Sequence, residues 1–257
     1  MSGGDDGPLS RVGNLLGEAA LRRLAAAQVT VAGLGAVGSF AVEALARSGV
    51  GRLRIIDFDR VERSNINRQL YALHSTIGQP KTLIAANRIH DIAPACDVET
   101  IETRISNENI FSILTPKPDV LVDAIDSVCD KVALICACLS HQVPVVSSMG
   151  AARRRDPMAV RCGVIDEVTG CPLAKSVKKG LKKAEIDLFS ASRWLRCVYS
   201  VEQAGALLDA GADMACDRRA MGSLVCVTGV FGLVAAREAL RLILDAPATA
   251  TGQASLA

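Results

Sequence analysis

The chain predicts an α/β fold. A doubly wound, mostly parallel sheet is covered by helices on both faces, with a C-terminal strand and crossover-loop extension. Three observations predict it. Short β-branched runs alternate with helical patterns, half of the 257 residues are hydrophobic but only 3% aromatic, and a glycine-spaced turn links the first run to the first helical pattern. A core of Ala, Val, Leu and Ile suits strands buried on both sides. One domain of this length buries a full core, so residues 1–257 are read as one unit. Within it, 30–150 forms a nucleotide-binding core, 151–220 a basic substrate and crossover region, and 221–245 a C-terminal helix.

The first strand, residues 29–32, runs into Gly33-x-Gly35-x-x-Gly38, and an amphipathic helix follows. Gly33 permits a tight turn, Gly35 lets a phosphate approach the backbone, and Gly38 lets helix and strand pack closely. The helix N-terminus offers unpaired N–H groups to an anion. The second strand, 53–56, ends in Asp57, placed to accept hydrogen bonds from ribose hydroxyls. This opening is Rossmann-like. Next come a helix over 81–92, a strand over 98–104, a short helix near 107–114 and a strand over 120–125. A helix over 131–140 and a strand over 143–147 complete the sheet, with Pro94, Pro116, Pro118 and Pro144 between elements.

Taken alone, the glycine motif fits a dinucleotide and an NAD-binding oxidoreductase. The segment Ser64-Asn65-Ile66-Asn67-Arg68-Gln69, with Lys81 beyond it, shifts the reading to ATP. Substitution at phosphorus builds charge on the leaving pyrophosphate and needs fixed cations. Arg68 can grip two phosphate oxygens, Lys81 supplies a compact point charge, and Asn65 can orient the chain. Asp126, after the 120–125 strand, is a hard oxygen ligand suited to Mg2+. As an isolated residue it also reads as a helix N-cap. Asp59 reads as a second metal ligand or, in preference, as a solvated loop residue.

Together, Gly-x-Gly-x-x-Gly, Asp-Phe-Asp, Ser-Asn-x-x-Arg-Gln, Gly-x-Pro-Lys and Ala-x-Asp resemble the adenylating domain of the ubiquitin-activating-enzyme superfamily, of the ThiF/MoeB type. Residues 43–51, 125–127 and 230–235 are similar to the subgroup that dehydrates threonylcarbamoyladenosine in tRNA. The resemblance spans roughly residues 14–245. It implies an ATP- and Mg2+-dependent enzyme with Asp57 on the ribose, Asn65, Arg68 and Lys81 on the phosphates, and Asp126 on the metal. It makes Arg68, Lys81 and Asp126 the catalytic set, and Gly33, Gly35, Ala36 and Gly38 the phosphate-binding turn. The family usually has glycine where this chain has Ala36, whose methyl narrows the approach slightly.

The same resemblance implies a carboxylate activated as an acyl-adenylate, then ring closure by an internal nitrogen, with tRNA as substrate. It further implies a homodimer and a possible sulfur-transfer partner protein. Family members often donate an N-terminal arginine to the partner's ATP site. Arg11 is the candidate upstream of Leu15, and its spacing departs from the family pattern. The rival within the family adenylates the C-terminus of a ubiquitin-like sulfur carrier. A non-catalytic nucleotide-sensing scaffold is a further alternative.

Nine cysteines, an odd number, and no secretory hydrophobic segment argue for free thiols in a reducing, cytoplasmic compartment. No pair has Cys-x-x-Cys spacing, so no structural zinc is expected. Cys136, Cys138 and Cys226 read as small core residues. Cys171 and Cys216 remain open as nucleophiles, Cys216 because it falls near a cysteine of the subgroup's pattern. His74, His90 and His141 read as surface or structural.

Residues 151–200 hold eleven Lys/Arg against five Asp/Glu, in a chain whose net charge is only +2. Arg153-Arg154-Arg155 and Lys175, Lys178, Lys179, Lys182 and Lys183, near Phe189, Trp194 and Tyr199, suit an RNA loop. The lysine spacing equally describes a solvated helix face. The apolar run 221–236 is too short to cross a bilayer and reads as a packed helix, with Gly222, Gly229 and Gly232 at its contacts. Residues 248–257 read as a disordered tail.

Overall fold

The computed structural model describes residues 7–205 and 222–246. Cys216, the 248–257 tail and the 206–221 part of the crossover region lie outside the described residues. Within them, one seven-stranded sheet has the order β3-β2-β1-β4-β5-β7-β6. Its strands are β1 (Gln28–Ala32), β2 (Arg52–Ile56), β3 (Asp97–Ile101), β4 (Val120–Asp123), β5 (Val145–Ser148), β6 (Val160–Gly163) and β7 (Leu195–Ser200). All pairings are parallel except β6 with β7. The helices are α1 (Ser10–Leu16), α2 (Glu18–Ala26), α3 (Gly38–Arg47), α4 (Lys81–Ile92), α5 (Ile110–Ile113), α6 (Val128–Ser140), α7 (Pro172–Lys183), α8 (Leu188–Ala191) and α9 (Val225–Asp245).

Period-two alternation on central strands sorts side chains into two cores. Val29, Val31, Val120, Val122 and Val146 face α2, α3, α4 and α9. Leu121, Val145, Leu195 and Cys197 face α5, α6, α7 and α8. Both faces are therefore apolar, as the aromatic-poor sequence requires. Residues 225–236 of the apolar run form the first part of α9, laid on the sheet and α3. A Cβ on Gly232 would lie 2.3 Å from the Val37 carbonyl oxygen, and one on Gly229 would touch the Phe40 ring at 3.4 Å. Gly222 meets no neighbour within 4 Å, so close packing rests on the other two. Among the described residues no helix is long and apolar enough to cross a membrane.

Several boundaries differ from the sequence reading. Strand β3 stops at Ile101, and β4 at Asp123, because the following residues leave the sheet to form cleft walls. Helix α6 begins at Val128, and its N-cap is Ser127 rather than Asp126. Residues 160–163 and 195–200 join the main sheet, so the basic region is built into the same layer. Cys138 is in the core, but Cys226 is exposed in the first turn of α9, on the side of the helix opposite the buried Val227 and Thr228. Cys136 is only partly buried.

Glu238 anchors α9 to β7. It is 1% exposed, accepts from Arg241 at 2.7 and 3.1 Å, from Arg196 at 3.2 Å, and from Arg237 at 3.1 Å. Burial alone pushes its carboxyl up, but the Arg241 hydrogen bonds and the three guanidinium charges outweigh that and hold it below the usual range. A lowered folded value means stability present above the unfolded value and lost as pH falls through the folded one. Glu238→Gln is therefore expected to cost about 2 kcal/mol at neutral pH. The difference from wild type should fade below pH 4.5, checked by urea unfolding across pH.

Candidate nucleotide site

Strand order reverses between β1 and β4, and open α/β sheets bind ligands outside the strand ends at such a point. A cleft of about 300 Å³ lies there, lined by Gly33, Gly35, Asp57, Phe58, Arg104 and Asp126, among others. Of the predicted glycines, Gly33 and Gly35 line it. Gly33 has φ +88° and donates its N–H to the Ile56 carbonyl at 2.8 Å. A Cβ there would meet the Ala124 carbonyl oxygen at 2.9 Å, and one on Gly38 would lie 1.8 Å from the Gly33 carbonyl oxygen. Gly35 is different. Its nearest neighbour in the Cβ direction is Gln69 Nε2 at 3.8 Å, which leaves the space above it for a ligand. Ala36 follows in the turn, partly exposed.

Asp57, at the end of β2, is 8% exposed. Its Oδ2 accepts from the Leu34 N–H at 2.6 Å and its Oδ1 from Asp59 N–H at 2.8 Å. The carboxylate therefore braces the glycine turn, and its remaining lone pairs are available to hydroxyls. Burial pushes its pKa above the usual carboxylate value, against the Lys81 charge and the two backbone hydrogen bonds.

Lys81 opens α4 and is 3% exposed. Its Nζ donates to Asp59 Oδ2 at 2.7 Å and lies 4.0 Å from Asp57 Oδ2. Asp59 is thus the lysine's ion-pair partner, correcting its reading as a solvated loop residue. Asn65 is 7% exposed in the 3₁₀ turn Arg63–Asn65; its Oδ1 accepts from Glu62 N–H and its Nδ2 donates to Ser64 Oγ. Arg68 is partly exposed, and Nη1 donates to the Ser64 carbonyl and to Asn67 Oδ1, both at 2.8 Å. Asn65, Arg68 and Lys81 do not line the cleft itself. The 65–69 segment borders it through Gln69, beside Gly35.

Asp126 is exposed on the β4–α6 loop and lines the cleft with Gly33 and Gly35. A carboxylate beside a phosphate-binding turn fits Mg2+, which takes one or two carboxylates plus substrate phosphates and keeps several waters. Among the described residues no group of three or more His, Cys, Asp or Glu could hold a metal by itself.

Sequence reasoning did not single out Phe58 and Arg104 for the cleft. Phe58 is 56% exposed over it. Arg104 sits in the loop after β3 and donates to Asp130 Oδ2 through Nε at 3.1 Å and Nη2 at 2.9 Å. Phe58 is the middle residue of Asp-Phe-Asp, an apolar side chain between two acids that signals exposure with a purpose. No local signal marks Arg104, since the strand extrapolated to residue 104 hid the loop.

The basic region is less uniform than its composition. Arg154 is 2% exposed and bonds to the Gly150 and Glu202 carbonyls; Arg153 bonds to the Gly205 carbonyl. Tyr199 is buried, and Trp194 is half-buried beneath Arg193 at the entry to β7, the sheet end away from the cleft. On α7, Lys175, Lys179, Lys182 and Lys183 are exposed, while Lys178 donates to the Asp166 and Val168 carbonyls. Cys171 is buried, and its Sγ accepts from Gly150 and Ala174 N–H groups as the N-cap of α7.

The ThiF family model matches residues 9–256. The chain is 33% identical over 247 residues to the tRNA threonylcarbamoyladenosine dehydratase of Escherichia coli (strain K12), covering 90% of this chain and 91% of that protein. It is 42% identical over 180 residues to the protein of the same name from Bacillus subtilis (strain 168), covering 68% and 71%. The crystal structure of the E. coli dehydratase, TcdA, in complex with ATP superposes with a TM-score of 0.84 at 32% identity, covering 92% and 93%. With the switch-point cleft, the glycine turn and the Asp57 brace in place, these matches show that the chain belongs to the ThiF family.

Proposed function

We propose that this protein uses ATP to activate the carboxylate of threonylcarbamoyl-modified adenosine in a tRNA anticodon loop and closes it into a ring with net loss of water. The observation that carries the reading is one cleft that joins Gly33, Gly35, Asp57 and Asp126 at the strand switch point, in a chain alike over nine-tenths of its length to such a dehydratase. A carboxylate is a poor electrophile, because its charge repels nucleophiles and its leaving group would be oxide. Attack of its oxygen on the α-phosphorus breaks the α–β bridge and yields acyl-adenylate and pyrophosphate. An internal nitrogen then forms the ring bond to the carbonyl carbon and expels AMP, which carries away the carboxylate oxygen. Nucleophile and carbonyl share one side chain, so closure needs no second acceptor.

In this reading Asp57 binds the ribose, while Asn65, Arg68 and Lys81 hold the phosphates. Arg68 exchanges its present backbone and Asn67 contacts for phosphate oxygens. Asp126 would hold Mg2+, which when bound neutralises charge developing on the leaving phosphates. Incubating the pure protein with ATP, Mg2+ and threonylcarbamoyl-modified tRNA should release pyrophosphate and lower the nucleoside mass by one water. An unchanged nucleoside, with pyrophosphate exchange appearing only when a small sulfur carrier protein is added, would instead favour the rival substrate. The same reading carries a homodimer, a sulfur-transfer partner protein and a cytoplasmic location; light scattering of the purified protein tests the first.

The tRNA surface is assigned to α7, whose exposed Lys175, Lys179, Lys182 and Lys183 present phosphate-binding charge. Gly180 on the same helix packs against Val132, in the first turns of α6, which fixes α7 beside the helix that starts at the cleft wall while those lysines face solvent. Replacing Lys179, Lys182 and Lys183 by glutamate should weaken tRNA binding at least about tenfold and flatten its salt dependence. ATP affinity should not change. Filter binding across a salt series measures both quantities, and an unaltered salt slope would remove α7 from the interface.

A further inference from the structure

Behind the cleft wall lies a charged network that the proposed chemistry does not use. Asp123 ends β4, Lys131 lies in the opening turns of α6, and Ser147 is on β5; all three are 0% exposed. Lys131 Nζ donates to Asp123 Oδ2 at 2.7 Å and to Ser147 Oγ at 3.3 Å, and Ser147 Oγ donates to the same Asp123 oxygen at 2.6 Å. The other oxygen of Asp123, Oδ1, accepts the Ile125 N–H at 3.2 Å. That last bond leads from the network to the cleft, since Ala124, Ile125, Asp126 and Ser127 all line it.

Stability does not account for this arrangement. Desolvating two ions offsets most of their attraction, and well-packed apolar replacements of similar volume are often neutral or stabilising. The lysine is also placed against both local preferences. It occupies a buried position in the stripe with Leu134, Ile135 and Cys138, where an apolar side chain would pack. As a cation near a helix N-terminus it also opposes the helix dipole. What the network supplies is geometry. It ties the end of β4 to β5 and to α6, and it fixes the turn between them by the Ile125 hydrogen bond. The turn is already constrained on its other side, where Ala124 N–H donates to the Ala32 carbonyl at 2.8 Å and Ala124 backs onto Gly33.

We infer that Asp123, Lys131 and Ser147 are positioning residues that hold the 124–127 turn, and with it Asp126, at the distance from the glycine turn that a magnesium–nucleotide complex requires. The inference rests on the adenylation reading for its purpose, but its principal readout, nucleotide affinity, needs no tRNA.

The test compares wild type with the apolar variant D123V/K131M/S147A and with D123N/K131M, which retains an oxygen acceptor for Ile125 N–H. Thermal unfolding, calorimetric binding of ATP with Mg2+ or with a chelator, and single-turnover pyrophosphate release are measured on each full-length protein. The apolar variant should fold with a melting temperature near or above that of wild type. It should bind ATP with Mg2+ roughly tenfold more weakly and turn over about 100-fold more slowly, as an ångström-scale misplacement does. Its chelator-only ATP affinity should match wild type, and D123N/K131M, which keeps the Ile125 acceptor but loses the lysine tie, should recover only part of the magnesium-dependent affinity. Wild-type affinity for ATP with Mg2+ in the folded apolar variant overturns the inference, as does failure of that variant to fold. Should wild type bind ATP with Mg2+ but leave modified tRNA unchanged, the proposed reaction falls while the affinity comparison still decides the role of the network.

Discussion

Replacing Lys81 with methionine is expected to slow pyrophosphate release by about 10²–10³-fold, the scale of removing one preorganised charge from a developing anion. Methionine keeps the length of the stem, so the loss is of charge rather than packing. Lys81 is 3% exposed and fixed by Asp59 at 2.7 Å, and a held ammonium needs no rearrangement when charge appears. A second consequence falls on Asp57. Burial already raises its pKa, and the Lys81 charge is the largest opposing influence. Without that charge the carboxyl rises further. Asp57 must be ionised to accept both ribose hydroxyls, so the acid limb of ATP affinity should move to higher pH in the variant. Single-turnover release and calorimetry across pH measure both effects. Arg68→Ala should show a comparable rate loss with no change in melting temperature, because this side chain is partly exposed and bonds only within its own loop. A Lys81→Met rate within threefold of wild type would reduce Lys81 to a structural partner of Asp59.

Gly38→Ala is expected to be the most damaging single methyl in the chain's glycine turn. The new Cβ would lie 1.8 Å from the Gly33 carbonyl oxygen and 3.3 Å from Ala124 Cβ. Neither neighbour can give way cheaply. Gly33 is held at φ +88° by its own hydrogen bond to Ile56, and Ala124 belongs to the cleft wall. Overpacking of this kind costs about 3 kcal/mol or more, and ATP binding should be lost with the turn. Gly35→Ala separates the two effects. Its methyl has 3.8 Å to the nearest atom, so the protein should unfold at the wild-type urea midpoint. The same methyl projects into the space left for phosphate, so ATP affinity should still fall. Equal stability losses in both variants would mean that Gly35 serves the fold and not the ligand.

Much of this protein was legible in its residues because local signals and tertiary structure agree. The β1–turn–α3 unit was readable from Gly33, Gly35 and Gly38, since Gly33 and Gly38 answer backbone constraints and Gly35 leaves open space beside the turn. Strand identities followed from β-branched runs, and the packed α9 from an apolar run too short for a bilayer. Helices α1 and α2 were missed; their mixed composition and glycine junction at Gly17 give little periodic contrast. The ends of β3 and β4 were overextended, because β-prone residues continue after the hydrogen-bonded ladder has ended. Arg104 consequently went unassigned to the cleft. Cys226 was placed in the core because it sits in an apolar run, yet it falls on the outward stripe of α9 with Leu233 and Arg237, while Val227 beside it is buried.

The sequence by itself determined the fold class and the glycine turn between β1 and α3, because these depend on residue type and short spacing. Tertiary structure alone decided which charges find which partners. It paired Lys81 with Asp59, Arg104 with Asp130, Arg154 with backbone carbonyls, and Lys131 with Asp123 across two strands and a helix. A charge in a sequence has no assigned partner, since ion pairing depends on distance and burial, and both are set only when distant segments meet.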